Sequence, residues 1–367
     1  MAETEEVADG GDSGLRLAEL IAALSLGTDL GLGQPMEHVL RSCLIGLRLG
    51  EDIGLDEAER SALYYVGLIA AVGCHADAYE QAAWFGDDIA FKSDAYGIDL
   101  VGLPVAGFLL RRLGRGRPPL ARMRTAGAFV AGGWKDLTVM DETHCLIAGD
   151  LALQLGLGPE VREPLQQAFE RWDGKGEPAG LKGDELALTV RIGQLADVVE
   201  VHGRVGGVEA AVDVARRRSG GQFDPALAER FCRCAPELLA GLDARTSWTE
   251  VIEAEPGLRL ELPEDAIDGA LEAIADFADL KSPFTLGHSR GVADLAFEAA
   301  KRFRLPPAEA VALRRAALLH DLGRLGVSNA IWDKPGPLTE AELERVRLHP
   351  YLTERMLARP PALARLG

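Results

Sequence analysis

The chain has 367 residues, 47% of them apolar and 26% charged, with 39 basic against 57 acidic side chains for a net charge of -18. That composition excludes wholesale disorder, and the acidic balance leaves no electrostatic footprint for a nucleic-acid backbone, so no nucleic acid is expected to bind through this segment. No stretch approaches the roughly 20 apolar residues of a membrane span and no basic-then-apolar leader opens the chain, so a cytoplasmic location and no membrane association are expected. Five scattered cysteines, Cys43, Cys74, Cys145, Cys232 and Cys234, suit reduced thiols better than a disulfide framework.

In chain order, residues 1–14 read as an acidic tail, and structure is expected from Leu15. Apolar residues then recur at three and four, while period-2 runs of Val, Ile and Thr are scarce, so the fold class is all-α. An internal repeat organises the chain. Adding 250 carries His38 onto His288 and residues 54–73 onto 304–323 without a gap, including Leu55/Leu305, Ala58/Ala308, Glu59/Glu309, Ala62/Ala312, Leu63/Leu313, Leu68/Leu318 and Gly73/Gly323. Farther on the offset falls to 205 and places His144 on His349, so the first copy carries extra residues, an insertion at about 78–135. This insertion holds Trp84, Phe85, Asp87 and Asp88, then Arg111, Arg112, Arg115, Arg117, Arg122 and Arg124 among glycines and prolines, which reads as a solvated loop.

The first copy closes with FERWDGKGEPAGLKGDELAL from Phe169 and RIGQLAD ending at Asp197. A linker is expected over 235–265, punctuated by Pro236, Pro256, Gly257 and Pro263. In the second copy, 266–367, Ser282-Pro283 is expected to start an amphipathic helix through Val292, Leu295, Ala296, Ala299 and Phe303, with His288 near its beginning. His320 and Asp321 follow an apolar helical run and precede Gly323, and His349 lies in RVRLHPYLTERML. Imidazole nitrogen and carboxylate oxygen together suit Mn, Fe or Zn.

The order His288, His320-Asp321, His349-Pro350 resembles the HD superfamily of metal-dependent phosphohydrolases, and HDLGRLGVSNAIWDKPGPLTEAELERVRLHP is similar to its HD-GYP branch, whose members hydrolyse cyclic dinucleotides such as cyclic di-GMP. The resemblance implies tandem HD-type helical bundles over residues 15–367. It implies a divalent transition-metal centre, dinuclear in a complete domain, ligated by His288, His320, Asp321 and His349. His320, Asp321 and Arg324 would carry the chemistry, and Arg324 would meet substrate phosphate; Lys334, in the DKPG segment, reads either as a second substrate-phosphate contact or as a solvated turn lysine. Arg324 stands where the family usually has lysine, and can still donate as a fork. The second histidine pair, the GYP loop and the final aspartate of that pattern do not follow His349 before Gly367, so the second copy reads as the N-terminal half of such a domain.

The first copy (15–234) keeps the later motifs but has Ala70 and Ala71 at the HisAsp position, Ala168 and Phe169 at the histidine pair, and Gly176-Glu177-Pro178 at GYP. His38, His144 and Asp197 are remnants of its ligand set, and it reads as degenerate; His75 and Asp77 fall out of register and read as structural. Two functions follow: a metal-dependent cyclic-dinucleotide phosphodiesterase of bacterial signalling, or a catalytically inactive regulatory or dimerisation module. The partners these imply are a nucleotide second messenger and, through exposed repeat faces, a homodimer. In similar architectures a LuxR-type helix-turn-helix follows, which could bind DNA.

Overall fold

A computed structural model describes residues 14–242, 247–257 and 259–367, so all but the last residue of the expected acidic tail lies outside it. Eighteen α-helices are present among the described residues: α1 (Leu17–Gly31), α2 (His38–Asp52), α3 (Glu57–Ile69), α4 (Ala78–Phe85), α5 (Asp88–Ala95), α6 (Gly102–Arg112), α7 (Pro119–Ala128), α8 (Trp134–Gln154), α9 (Pro159–Leu165), α10 (Leu188–Arg218), α11 (Pro225–Leu238), α12 (Ser247–Glu253), α13 (Glu264–Asp279), α14 (His288–Arg302), α15 (Pro307–Leu319), α16 (Asn329–Trp332), α17 (Glu340–Arg347) and α18 (His349–Leu357). The described residues contain isolated bridges but no sheet, as an all-α protein requires.

The repeat is visible in backbone detail. Glu37 and Gly287, one residue before α2 and α14, share the left-handed conformation (φ 76° and 74°), as do Gly54 and Arg304 (φ 85° and 58°). Asp29 accepts the Val39 amide at 2.9 Å, and Asp279, exactly 250 residues on, accepts the Ser289 amide at 2.8 Å. In both halves a buried aspartate thereby holds the first turn of a histidine-bearing helix. Gly73 lies against the His144 carbonyl and Gly323 against the His349 carbonyl, so neither position has space for a Cβ. We expect Gly323→Ala to push α18 off the turn at 322–326 and lower stability by about 1–3 kcal/mol; an unchanged melting temperature would show that α18 does not pack this closely.

The two halves pack as a pseudo-symmetric pair on one continuous core. α1, buried along nearly its whole length, lies on the 322–326 turn and α18 of the second half, while α13 lies on α8 of the first. Gly27 brings α1 onto Leu325 and Met356, and one turn later Gly31 admits the buried ring of His75, itself edge-on to Phe277. α10 packs on α2 and α3, with Gly46 against Ile192 and Ala196. Ile45 and Leu63 are buried there, whereas their counterparts Leu295 and Leu313 are 74% and 41% exposed.

Two expectations need correction. The helix expected from Ser282 begins at His288: Ser282 instead sits in a buried turn, its hydroxyl donating to Asp333, and of the expected apolar face Leu295 and Phe303 are exposed. The arginine-rich insertion is helical rather than a loop, although Arg111, Arg115, Arg117, Arg122 and Arg124 are solvent-exposed as expected. Its helices α6 and α7 close on a small core of Phe85, Phe108, Leu109, Leu113 and Phe129, and Arg117 and Arg122 donate to the carbonyls of Ala83, Leu113 and Arg111. These guanidiniums satisfy backbone acceptors that the ends of α4 and α6 leave open.

Over the expected linker, α11 runs to Leu238, α12 packs on α2, and residues 260–262 pair with the chain around Leu15 and Leu17 before α13 begins. The five cysteines are free thiols.

Candidate metal centre

α15 ends at Leu319 because the chain turns at His320 and Asp321 into the tight 322–326 turn, presenting both side chains at the helix end. α14 brings His288 to the same point, while α18 brings His349 beside Asp321 but outside the group of mutually close donors that the other three form. Asp321, nearly buried, is the hub: its carboxylate oxygens lie 3.5 Å from His288 Nε2, 3.4 Å from His320 Nε2 and 3.4 Å from His349 Nε2. Donor atoms of His288, His320 and Asp321 all fall within 4.8 Å of one another.

These separations are too long for good hydrogen bonds. They match two donors sharing one ion, which at bonds of about 2.1 Å sit about 3.0–3.5 Å apart. The imidazole tautomers agree: His320 Nδ1 donates to the Ala317 carbonyl at 2.7 Å and His349 Nδ1 to the Val346 carbonyl at 2.6 Å, which leaves each Nε2 with a free lone pair facing Asp321. The donor set therefore fits a divalent transition metal.

Arg324, buried, donates from Nη1 to Asp321 Oδ2 at 2.9 Å and lies over the Trp332 ring at 4.2 Å, and Trp332 meets the His349 ring edge-on at 5.6 Å. Of the two expected phosphate contacts, Arg324 is thus at the centre, whereas Lys334 gives its ammonium to Glu342 at 2.6 Å, within the Thr339 capping box of α17.

The first half has the same frame with different contents. Ala70 and Ala71 occupy the backbone positions of His320 and Asp321, at the end of α3 before the 72–75 turn. His38 Nε2 bonds Asp197 at 2.9 Å, its Nδ1 bonds Glu200, and Arg41 also donates to Glu200 at 2.6 Å. The Tyr96 hydroxyl adds contacts to His38 and Asp197. Burial alone would lower the His38 pKa, but Asp197 and Glu200 overcome it and hold the imidazole protonated to about 10. Burial would raise Glu200, and the His38 bond brings it down to about 2.

His144 bonds Asp77 at 2.5 Å and is raised to about 10 by Asp77 and Cys74 against the same burial, and Phe169 packs on its ring with centroids 5.2 Å apart. In the second half histidine and carboxylate stand at cation spacing; here they stand at proton spacing. Asp77 pairs with the remnant His144, while His75 is buried in the interface between the halves.

The sequence reading missed Asp29, Asp279, Tyr96, Glu200 and Trp332. Asp29 and Asp279 were discoverable, since they coincide under the 250-residue offset, and Glu200 is one helical turn beyond Asp197.

An all-α frame with histidine and aspartate meeting at helix ends is the architecture of a metal-dependent phosphohydrolase, and comparison with known proteins agrees. Residues 272–366 match the family model described as HD domain. Over 345 residues, 93% of this chain and 75% of the relative, the chain is 33% identical to 3'3'-cGAMP-specific phosphodiesterase 3 of Vibrio cholerae. A shorter stretch of 74 residues, 20% of this chain and 18% of the relative, is 39% identical to a cyclic di-GMP phosphodiesterase of Pseudomonas aeruginosa. A crystal structure of a V. cholerae cyclic GMP-AMP-specific phosphodiesterase superposes with a TM-score of 0.70 at 32% identity, covering 95% of this chain and 80% of that one. The chain belongs to the HD superfamily of phosphohydrolases, and these relatives are cyclic-dinucleotide phosphodiesterases.

Proposed function

We propose that this protein is a metal-dependent phosphodiesterase acting on a cyclic dinucleotide, with its centre in the second half and a non-catalytic first half. The carrying observation is the contrast in spacing: His288, His320 and His349 stand around Asp321 at 3.4–3.5 Å, while His38 is already closed on two carboxylates. The relative matched over most of the chain acts on 3'3'-cGAMP and the cyclic di-GMP relative matches only briefly, which favours 3'3'-cGAMP as substrate.

In this reading His288, His320, Asp321 and His349 hold the divalent metal, which supplies Lewis-acid charge to the phosphodiester when bound. The carbonyls of Ala317 and Val346 fix two of the imidazole tautomers. Arg324 spends one N–H on Asp321 and keeps others of its fork for a phosphoryl oxygen. Its stacking on Trp332 holds the guanidinium in place before substrate arrives.

The test is hydrolysis of 3'3'-cGAMP and cyclic di-GMP by the 367-residue chain with Mn, Fe or Zn, followed by chromatography. A linear dinucleotide formed faster from 3'3'-cGAMP is the expected result. Binding without hydrolysis under every metal would favour the alternative, a regulatory module, and faster turnover of cyclic di-GMP would overturn the substrate assignment.

A further inference from the structure

Asp88 opens α5 in the insertion of the first half, yet its contacts are mostly with the second. It is fully buried. One carboxylate oxygen accepts the Ser328 hydroxyl at 2.7 Å and the Asn329 amide at 2.8 Å; the other faces the buried Lys281 ammonium at 3.4 Å and Lys92 at 3.7 Å. Ser328 is the N-cap of α16, and the Asn329 amide is one of the free N–H groups of that helix's first turn. A carboxylate from the other half of the molecule therefore completes the start of a four-residue helix.

That helix is the support of the candidate centre. It ends in Trp332, which lies under Arg324 and against His349. Its remaining bonds run to the same segment: Asn329 Nδ2 donates to the Lys281 carbonyl and to Asp333, and Asp333 accepts from Ser282. So short a helix has little stability of its own, and where Trp332 sits depends on what anchors the first turn.

We propose that Asp88 is a positioning residue of the second half's centre, acting through residues 328–332 to set Trp332 and, through it, Arg324 and His349. This rests on the reading of His288, His320, Asp321 and His349 as the catalytic centre, and it gives the degenerate half a defined task. Without its insertion, the first half would leave the Ser328 hydroxyl, the Asn329 backbone amide and the Lys281 ammonium without the carboxylate they now share.

The experiment uses the 367-residue chain. Subtracting the emission of Trp332→Phe from that of the parent isolates Trp332. In Asp88→Ala this difference spectrum is expected to shift to the red and become quenchable by acrylamide. The Mn dissociation constant is expected to rise about 10-fold, and 3'3'-cGAMP turnover to fall about 10-fold, the scale of lost outer-shell support. Asp88→Asn, whose amide oxygen can still accept from Ser328 and the Asn329 amide but whose NH2 would face the Lys281 and Lys92 ammoniums, should recover part of both.

Should Asp88→Ala not fold, Ser328→Ala removes the other end of the same bond and is expected to give the same red shift. Unchanged Trp332 emission, or a red shift with Mn affinity unaltered, overturns the proposal. A parent chain that turns over no cyclic dinucleotide counts against the phosphodiesterase reading alone, and the emission and Mn measurements then decide this one.

Discussion

Asp321→Asn is expected to strip the second half of its metal and to lower turnover by about a thousandfold or more, equivalent to about 4 kcal/mol of lost transition-state stabilisation. The reasoning is local. Asp321 stands within 3.5 Å of all three imidazoles, so it is the negative charge that His288, His320 and His349 share. An amide of the same shape keeps an oxygen for the Arg324 N–H and so spares the fold, but it removes the negative charge that holds a divalent ion. The measurement is elemental metal content per chain beside the rate of 3'3'-cGAMP hydrolysis. Stoichiometric metal with turnover inside 10-fold of the parent would remove Asp321 from the centre of the mechanism. Because the first half already pairs its histidines with its own carboxylates, residual metal in Asp321→Asn is not expected to reside there.

The sequence carried the helical fold class and the repeat because both are local: period, glycine punctuation and an ungapped register survive without any knowledge of packing. Helix boundaries beside His320, Asp321 and His349 are marked in the sequence, and it is the family resemblance that joins these residues with His288 into one expected ligand set. What stayed hidden depends on contacts between distant segments. Asp88 sits in an insertion with no counterpart in the second copy, so no comparison of the two halves could point from it to Ser328, 240 residues away. The helices of the insertion stayed hidden because glycine and proline suggest loops, whereas here the exposed Arg117 and Arg122 satisfy backbone carbonyls over a small aromatic core. The start of α14 was misplaced because Ser282-Pro283 looks like a cap, and only the left-handed Gly287 and the distant Asp279 reveal that the helix begins at His288.

The first half's remnants should matter for stability where their counterparts matter for metal. His38→Ala is expected to destabilise the protein by about 3–5 kcal/mol, since it leaves Glu200 buried with only arginines and Asp197 without its imidazolium partner. His288→Ala, at the same position of the repeat, removes a side chain that is 42% exposed and only 3.5 Å from its nearest carboxylate oxygen, so the metal-free protein should melt as the parent does.

The pH dependence gives a second check. The folded pKa of His38, about 10, lies above its ordinary 6.5, so its contribution is complete below pH 6.5 and is lost as pH rises towards 10. The folded pKa of Glu200, about 2, lies below its ordinary 4.5, so its contribution is complete above pH 4.5 and is lost as pH falls towards 2. The network is therefore at full strength between about pH 4.5 and 6.5. The melting-temperature gap between parent and His38→Ala should be widest at pH 6 and narrow by pH 9.5. A gap that is constant across that range would mean the imidazole is neutral and bound only by packing. With the gap as expected, the first half holds its frame together by a proton shared between histidine and carboxylate, at the place where the second half has room for a metal ion.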